Sequence, residues 1–281
     1  MEAYTGFAEV YDIFMDETPY REWAEYLSVL IEKYGISRPC RKQEGIPESL
    51  QEDVSSQEDA LLQEKNLVVD LGCGTGTMTG LLAAKGYDMV GIDNSGEMLA
   101  IAMEKRDRAG EKILYLEQDM RELELYCTAG TVISVCDSLN YLLTEEDLEQ
   151  TFRLVNNYLY PGGIFIFDFN TVYKYEQVIG DTTIAENRDD CSFIWENYYD
   201  ADEAVNEYDL TIFVREESGL YRKFEETHYQ RGYTLQTMQR ILEQAGMEFV
   251  TAVDADTHEG VRKESERIYV VAREKGKECA G

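Results

Sequence analysis

Val68-Val69-Asp70-Leu71-Gly72-Cys73-Gly74-Thr75-Gly76 is an apolar run that ends on an acid and breaks into a glycine-rich turn. The β-branched pair reads as a short buried strand, and Met78–Lys85 after the turn reads as a helix. Glycines between a strand and a helix let backbone N–H groups approach a ligand closely. Read as the dinucleotide fingerprint G-x-G-x-x-G, the third glycine falls at position 77, where Thr77 stands. The register D-x-G-x-G-x-G fits instead, with the acid at the strand end and glycines at alternate positions.

Downstream the chain alternates between strands and helices. Strands are expected at Leu67–Asp70, Asp88–Asp93, Ile113–Gln118, Thr131–Cys136 and Ile164–Phe169, with helices at Met78–Lys85, Gly96–Arg108 and Leu148–Leu159. Pro161-Gly162-Gly163 is read as closing the last of these helices. The strands are short, almost wholly apolar and rich in Val and Ile, as in parallel sheets covered on both faces. Residues 191–229 change style to alternating apolar and polar runs, Phe193-Ile194-Trp195, Glu207–Arg215 and Tyr221–Tyr229, which read as an antiparallel ribbon. A helix at Thr234–Ala245 and strands at Glu248–Val253 and Arg267–Ala272 then resume the rhythm. The expected fold is α/β, a doubly wound, mostly parallel seven-stranded Rossmann-like sheet with an inserted antiparallel β cap. Upstream, Tyr4, Phe7, Tyr11 and Phe14 line one face of a helix that Pro19 interrupts. Residues 41–65 hold seven acids against three bases without apolar periodicity, and read as a mobile insertion or a marginal helix.

The glycine register, with Gly91-Ile92-Asp93-Asn94-Ser95 after the second strand and Glu117-Gln118-Asp119-Met120-Arg121 after the third, resembles the class I S-adenosylmethionine (SAM) dependent methyltransferases. Tyr11-Asp12, Met15, Tyr20, Trp23 and Cys136-Asp137-Ser138-Leu139-Asn140-Tyr141 extend the likeness to a bacterial small-molecule-type subgroup with a helical lid and an inserted β cap. The resemblance implies a lid at 1–40, a SAM-binding domain at 66–180 and 230–275, and a cap at 181–229. It implies methyl transfer by in-line displacement to a small-molecule acceptor, an amine or a hydroxyl, yielding S-adenosylhomocysteine (SAH). It also implies cofactor contacts at Asp70, Gly72, Cys73, Gly74, Asp93, Asn94, Met98, Asp119, Met120 and Cys136. Among these, Asp70 serves the loop and the methionine amino group, Asp93 the ribose hydroxyls and Asp119 the adenine amino group. Tyr11 and Trp23 are read as ring faces for the sulfonium cation, or equally as core packing.

His228 ends a ribbon strand and reads either as a general base aimed into the cleft or as a hydrogen-bonded structural histidine. His258 sits in an acidic loop and reads as a charged surface group. Asp137, Asp168 and Asn170 follow the fourth and fifth strands, the edge where catechol-type relatives hold magnesium, but Phe169 splits the pair and no metal is expected. No proline follows the fourth strand, so the turn used on exocyclic base amines is missing, and no cysteine suits cytosine C5 chemistry.

Charge agrees. With 26 Lys and Arg against 56 Asp and Glu, the net charge is −30, which repels nucleic acid and anionic lipid alike. In residues 181–218 twelve acids face two bases, which suggests a neutral or cationic acceptor, or simply a solvated face. The six cysteines form no C-x-x-C pair, no apolar run approaches a membrane span, and the first residues lack signal-peptide character. A cytoplasmic monomer or homodimer is expected. Two other readings, a non-catalytic SAM sensor or scaffold and an NAD(P)-dependent oxidoreductase, are set against the methyltransferase.

Overall fold

The computed structural model describes residues 8–39 and 57–277. Tyr4, Phe7, Cys40, Cys279 and residues 41–56 lie outside them. The central sheet contains β1 (Leu67–Leu71), β2 (Asp88–Asp93), β3 (Leu114–Glu117), β4 (Ala129–Ser134), β5 (Leu159–Asn170), β10 (Met247–Asp254) and β11 (Arg267–Glu274). Its order is β10-β11-β5-β4-β1-β2-β3, parallel except where β11 pairs antiparallel with β5 and β10. The chain therefore starts mid-sheet, runs out to β3 and returns to β4 beside β1. That reversal opens a crevice at the carboxyl ends of β1 and β4, where open α/β sheets bind ligands.

Successive residues of a strand point to opposite faces, so each strand feeds two cores. Ile164 and Ile166 of β5 pack under α2 (Tyr20–Tyr34), α4 (Thr77–Ala84) and α5 (Gly96–Ala109). Phe165 and Phe167 pack under α6 (Glu145–Tyr158) and α7 (Leu235–Gln244). Phe152 of α6 touches both Phe165 and Phe167 and is fully buried, so Phe152→Ala is expected to cost about 3–5 kcal/mol.

The cap is a four-stranded antiparallel sheet of β6 (Thr183–Asn187), β7 (Cys191–Asp200), β8 (Val205–Arg215) and β9 (Tyr221–Arg231). Leu210 and Ile212 of its apolar face pack with Val10 and Phe14 of α1 (Ala8–Phe14), and Phe14 meets Phe193 edge-on at 4.7 Å. Strand β6 is absent from the sequence reading because it is an exposed edge with no apolar alternation. Two boundaries also move. Helix α6 stops at Tyr158, so Pro161-Gly162-Gly163 lies within β5, where the pairing with β4 is irregular. Strand β4 stops at Ser134 because Cys136 and Asp137 turn left-handed, at φ 61° and 55°.

The described end of the acidic stretch is helical, α3 (Gln57–Asn66). Its Glu64 accepts hydrogen bonds from the amide and hydroxyl of Thr128, and Ser37 donates to its Lys65 carbonyl at 3.1 Å. Among the described residues no helix is long and apolar enough to cross a membrane.

Candidate functional site

The crevice is walled first by backbone. The amides of Gly72 and Cys73 both donate to the Ile92 carbonyl, at 2.7 and 2.9 Å, which ties the glycine turn to β2. Gly72 sits at φ +80°, and a Cβ there would lie 2.6 Å from Ser138 Cβ, so no other residue fits without a shift. A Cβ on Gly74 would meet nothing within 4 Å, so at this point the turn faces open space.

Two carboxylates, the buried Asp70 and the half-buried Asp93, brace the turn. Asp70 accepts from the Thr79 hydroxyl at 2.5 Å, and burial, reinforced by Asp93, pushes its carboxyl up to about 7. Asp93 accepts from the amides of Gly74 (2.8 Å) and Ser95 (2.9 Å), and burial raises it too. Ser95 in turn caps α5 by accepting from the Met98 amide. Asp119 caps the single turn Met120–Glu122 and pairs with Arg121 at 2.5 Å, whose hydrogen bonds hold its carboxyl below the usual range.

Tyr11, Asp70, Gly72, Cys73, Gly74, Asp93, Asn94, Met98, Asp119, Met120 and Cys136 all line this one cavity. Trp23 does not; its ring face lies against the Arg267 guanidinium at 4.1 Å. The cavity also takes in Tyr20, Ser138 and Tyr141, which the motif reading passed over as contacts. Tyr11 and Tyr20 hydrogen-bond one another, and burial lifts both phenols above their ordinary range. Helix α1 is fastened beside them: the Thr75 hydroxyl donates to Asp12 at 2.7 Å and Lys105 pairs with Asp12 at 2.5 Å.

The turn after β4 is strained, since each left-handed non-glycine residue costs roughly 1–2 kcal/mol. Asp168, fully buried, holds it by accepting from the amides of Cys136 (3.1 Å) and Asp137 (2.8 Å). Asp137 accepts from Gln230 of the cap at 2.7 Å. Asn170 donates from its amide to Asn140 and from its side chain to the Tyr175 hydroxyl. These three groups are thus engaged by the protein itself, and among the described residues no cluster of His, Cys, Asp and Glu suits a metal ion.

His228 is buried behind the wall. Its Nε2 lies 3.2 Å from Glu226, its ring stacks on Tyr208 with centroids 5.0 Å apart, and its Nδ1 is 3.5 Å from the Tyr141 hydroxyl. His228 therefore reaches the cavity through Tyr141. His258 is exposed and stacks on Tyr26 at 3.6 Å. The twelve acids of 181–218 are all exposed or half-buried, a solvated face, and the buried acid of the cap is Glu226.

A glycine turn, strand-end acids and Tyr11 of helix α1 thus wall one crevice at the point where the strand order reverses, the place where open α/β sheets hold a nucleotide-like ligand. Residues 68–163 match the family described as "Methyltransferase domain". A protein of Bacillus subtilis (strain 168) named "Putative methyltransferase YqeM" is 34% identical over 273 residues, covering 96% of each chain. A solved S-adenosylmethionine-dependent methyltransferase of Clostridium acetobutylicum ATCC 824 superposes with TM-score 0.78 at 27% identity, over 98% of this chain and 100% of that one. The sugar N-methyltransferase KedS8 of Streptoalloteichus sp ATCC 53650 shares the fold, with TM-score 0.67 at 15% identity over 93% of this chain and 92% of that one. The chain belongs to the class I SAM-dependent methyltransferases, and SAM is its cofactor.

Proposed function

We propose that the protein methylates an amine nitrogen of a small molecule held between the cavity and the cap. The observation that carries this reading is the series Tyr141, His228, Glu226, which begins at half-buried Tyr141 on the cavity wall and runs through buried His228 to a buried carboxylate. SAM supplies a methyl group already activated on a sulfonium, open to in-line displacement by a nucleophile. What remains for the protein is to bind, to align, to exclude water and to take a proton, and alignment can contribute about 7–11 kcal/mol.

The residues present fit the cofactor. The open face at Gly74 gives it room at the glycine turn, and Asp70, Asp93 and Asp119 on the same cavity wall are acceptors of the kind its amino and hydroxyl groups would need. Asp70 serves the amino group, Asp93 the ribose and Asp119 the adenine edge, with Asn94 beside Asp93. Met98 and Met120 supply apolar walls, while Cys73 and Cys136 contribute small size and backbone. Tyr11 offers an aromatic ring next to the reacting end, and Trp23 has no part in that contact.

An amine that arrives protonated is not a nucleophile. The Tyr141 hydroxyl takes its proton and passes its own to Nδ1 of His228, whose Nε2–H donates to Glu226 and so steadies the resulting cation. The shared fold of a sugar N-methyltransferase supports nitrogen as the acceptor atom. The net charge supports a small molecule over nucleic acid. The test is a labelled-methyl screen of amines and matched alcohols with the full chain, after calorimetry with SAM, SAH and NADH. Binding of SAM and SAH with turnover on amines is expected; turnover on alcohols alone, or none on any small molecule, overturns the proposal.

A further inference from the structure

Trp23 has no place on the cavity wall; it meets the wall residue Tyr20 edge-on at 5.6 Å, and it is joined to the turn after β4 through three links. Its ring carries the Arg267 guanidinium at 4.1 Å. Arg267 Nη1 lies 3.7 Å from Asp168 Oδ2, and both side chains are largely or wholly buried. Asp168 accepts the amides of Cys136 and Asp137, the two consecutive left-handed residues. A buried carboxylate needs a counter-charge to stay ionised, and a left-handed pair without glycine needs an outside hold to persist. Arginine suits the first need: its flat guanidinium stacks on indole while its charge reaches the carboxylate, a combination lysine does not offer.

The turn so held touches both halves of the site. Cys136 and Ser138 line the cavity, and the Ser138 hydroxyl donates to the Gly72 carbonyl at 3.1 Å. Asp137 takes the Gln230 side chain of the cap. If the turn relaxes toward ordinary right-handed or extended backbone, Cys136 and Ser138 leave the wall and Gly72 loses a neighbour.

We infer that Trp23 and Arg267 are positioning residues of the methyltransferase: through Asp168 they pin the Cys136–Asp137 turn, which sets the cofactor wall against the cap. The inference rests on the cofactor cavity, not on the amine acceptor, so SAH alone serves as probe and the acceptor reading can fail separately.

The experiment is calorimetric titration of SAH into full-length Trp23→Leu, Trp23→Phe, Arg267→Met and Arg267→Lys, with thermal unfolding of each ligand-free protein. Trp23→Leu and Arg267→Met are expected to weaken SAH at least tenfold, Arg267→Lys less, and Trp23→Phe under threefold because an aromatic face remains. The decisive variant adds Asp137→Gly to Trp23→Leu and is compared with Asp137→Gly alone, which carries the loss of the Gln230 contact by itself. Glycine adopts positive φ without strain, so it should recover most of the lost affinity while leaving the melting temperature low. SAH affinity unchanged in Trp23→Leu, or a loss that Asp137→Gly does not restore, overturns the inference. Should Arg267→Met fail to fold, the half-buried Trp23 variants decide alone.

Discussion

On the cofactor wall the decisive groups, from Asp70 to Asp93, lie within one strand-turn-helix-strand unit and act largely through backbone amides. Behind the cap the contacting groups come from distant parts of the chain: Tyr141 and His228 are 87 positions apart, and Tyr141 and Tyr208 are 67 apart. Here the hydrogen bonds run between side chains. The first construction is dictated by local geometry, since few residues other than glycine tolerate the turn and an acid must receive its amides. The second depends on how the cap seats, and side chains can be exchanged there without moving the sheet. One molecule thus pairs a fixed cofactor wall with an adjustable acceptor wall, and variants should separate the two.

The largest effect on cofactor binding is expected at Asp93. Alanine there strips the partner from two amides and from the ribose, and SAH should bind more weakly by about 1–3 kcal/mol. Calorimetry checks this, and unchanged affinity would break the assignment of Asp93 to the cofactor. Gly72→Ala follows: the added Cβ is forced against Ser138 at positive φ. A drop of about 1–3 kcal/mol in unfolding free energy is expected, as for other overpacked sites, with weaker SAH binding.

A smaller, graded effect should come from pH. Asp70 titrates at about 7 in the fold, far above its unfolded value, so the folded state holds the extra proton between. Stability of the ligand-free protein should fall as pH rises from about 4 to 7 and level off above it. SAH, bringing a cationic amino group, selects the ionised form. Its affinity should therefore rise with pH, up to about tenfold per unit below 7, as linkage to one group requires. Asp93 shifts in the same sense and adds to the slope. Asp70→Asn should flatten both profiles, and an unaltered profile would remove Asp70 from the cofactor's amino end.

The same contrast explains what the sequence discloses. Val68 to Gly76 reads correctly because strand, turn and helix follow one another and each residue type answers a local need. The end of β4 reads two residues too long because no glycine marks the left-handed pair; the hold comes from Asp168 and Arg267, far along the chain. Trp23 and Tyr11 carry the same aromatic signal, and only packing tells that one faces Arg267 and the other the cavity. Glu226 did leave a trace: it alternates with His228 and Gln230 along β9, so all three share one face, and all three are buried. An acid on the buried face of a strand is unusual enough to mark a site.

The smallest expected change in cofactor binding is also the sharpest test of the contrast. Glu226→Gln keeps the shape and a hydrogen-bond acceptor for His228 but removes the charge that steadies the imidazolium. SAH affinity should stay within about threefold, since Glu226 and His228 lie off the cofactor wall and a surplus of a few tenths of a kcal/mol is all that distant sites usually share. Turnover on an amine acceptor should fall by about 10²–10⁴, the usual worth of general base catalysis. A variant that loses SAH binding along with turnover would mean that cap and cofactor wall form one cooperative unit, and the two constructions would have to be treated as a single site.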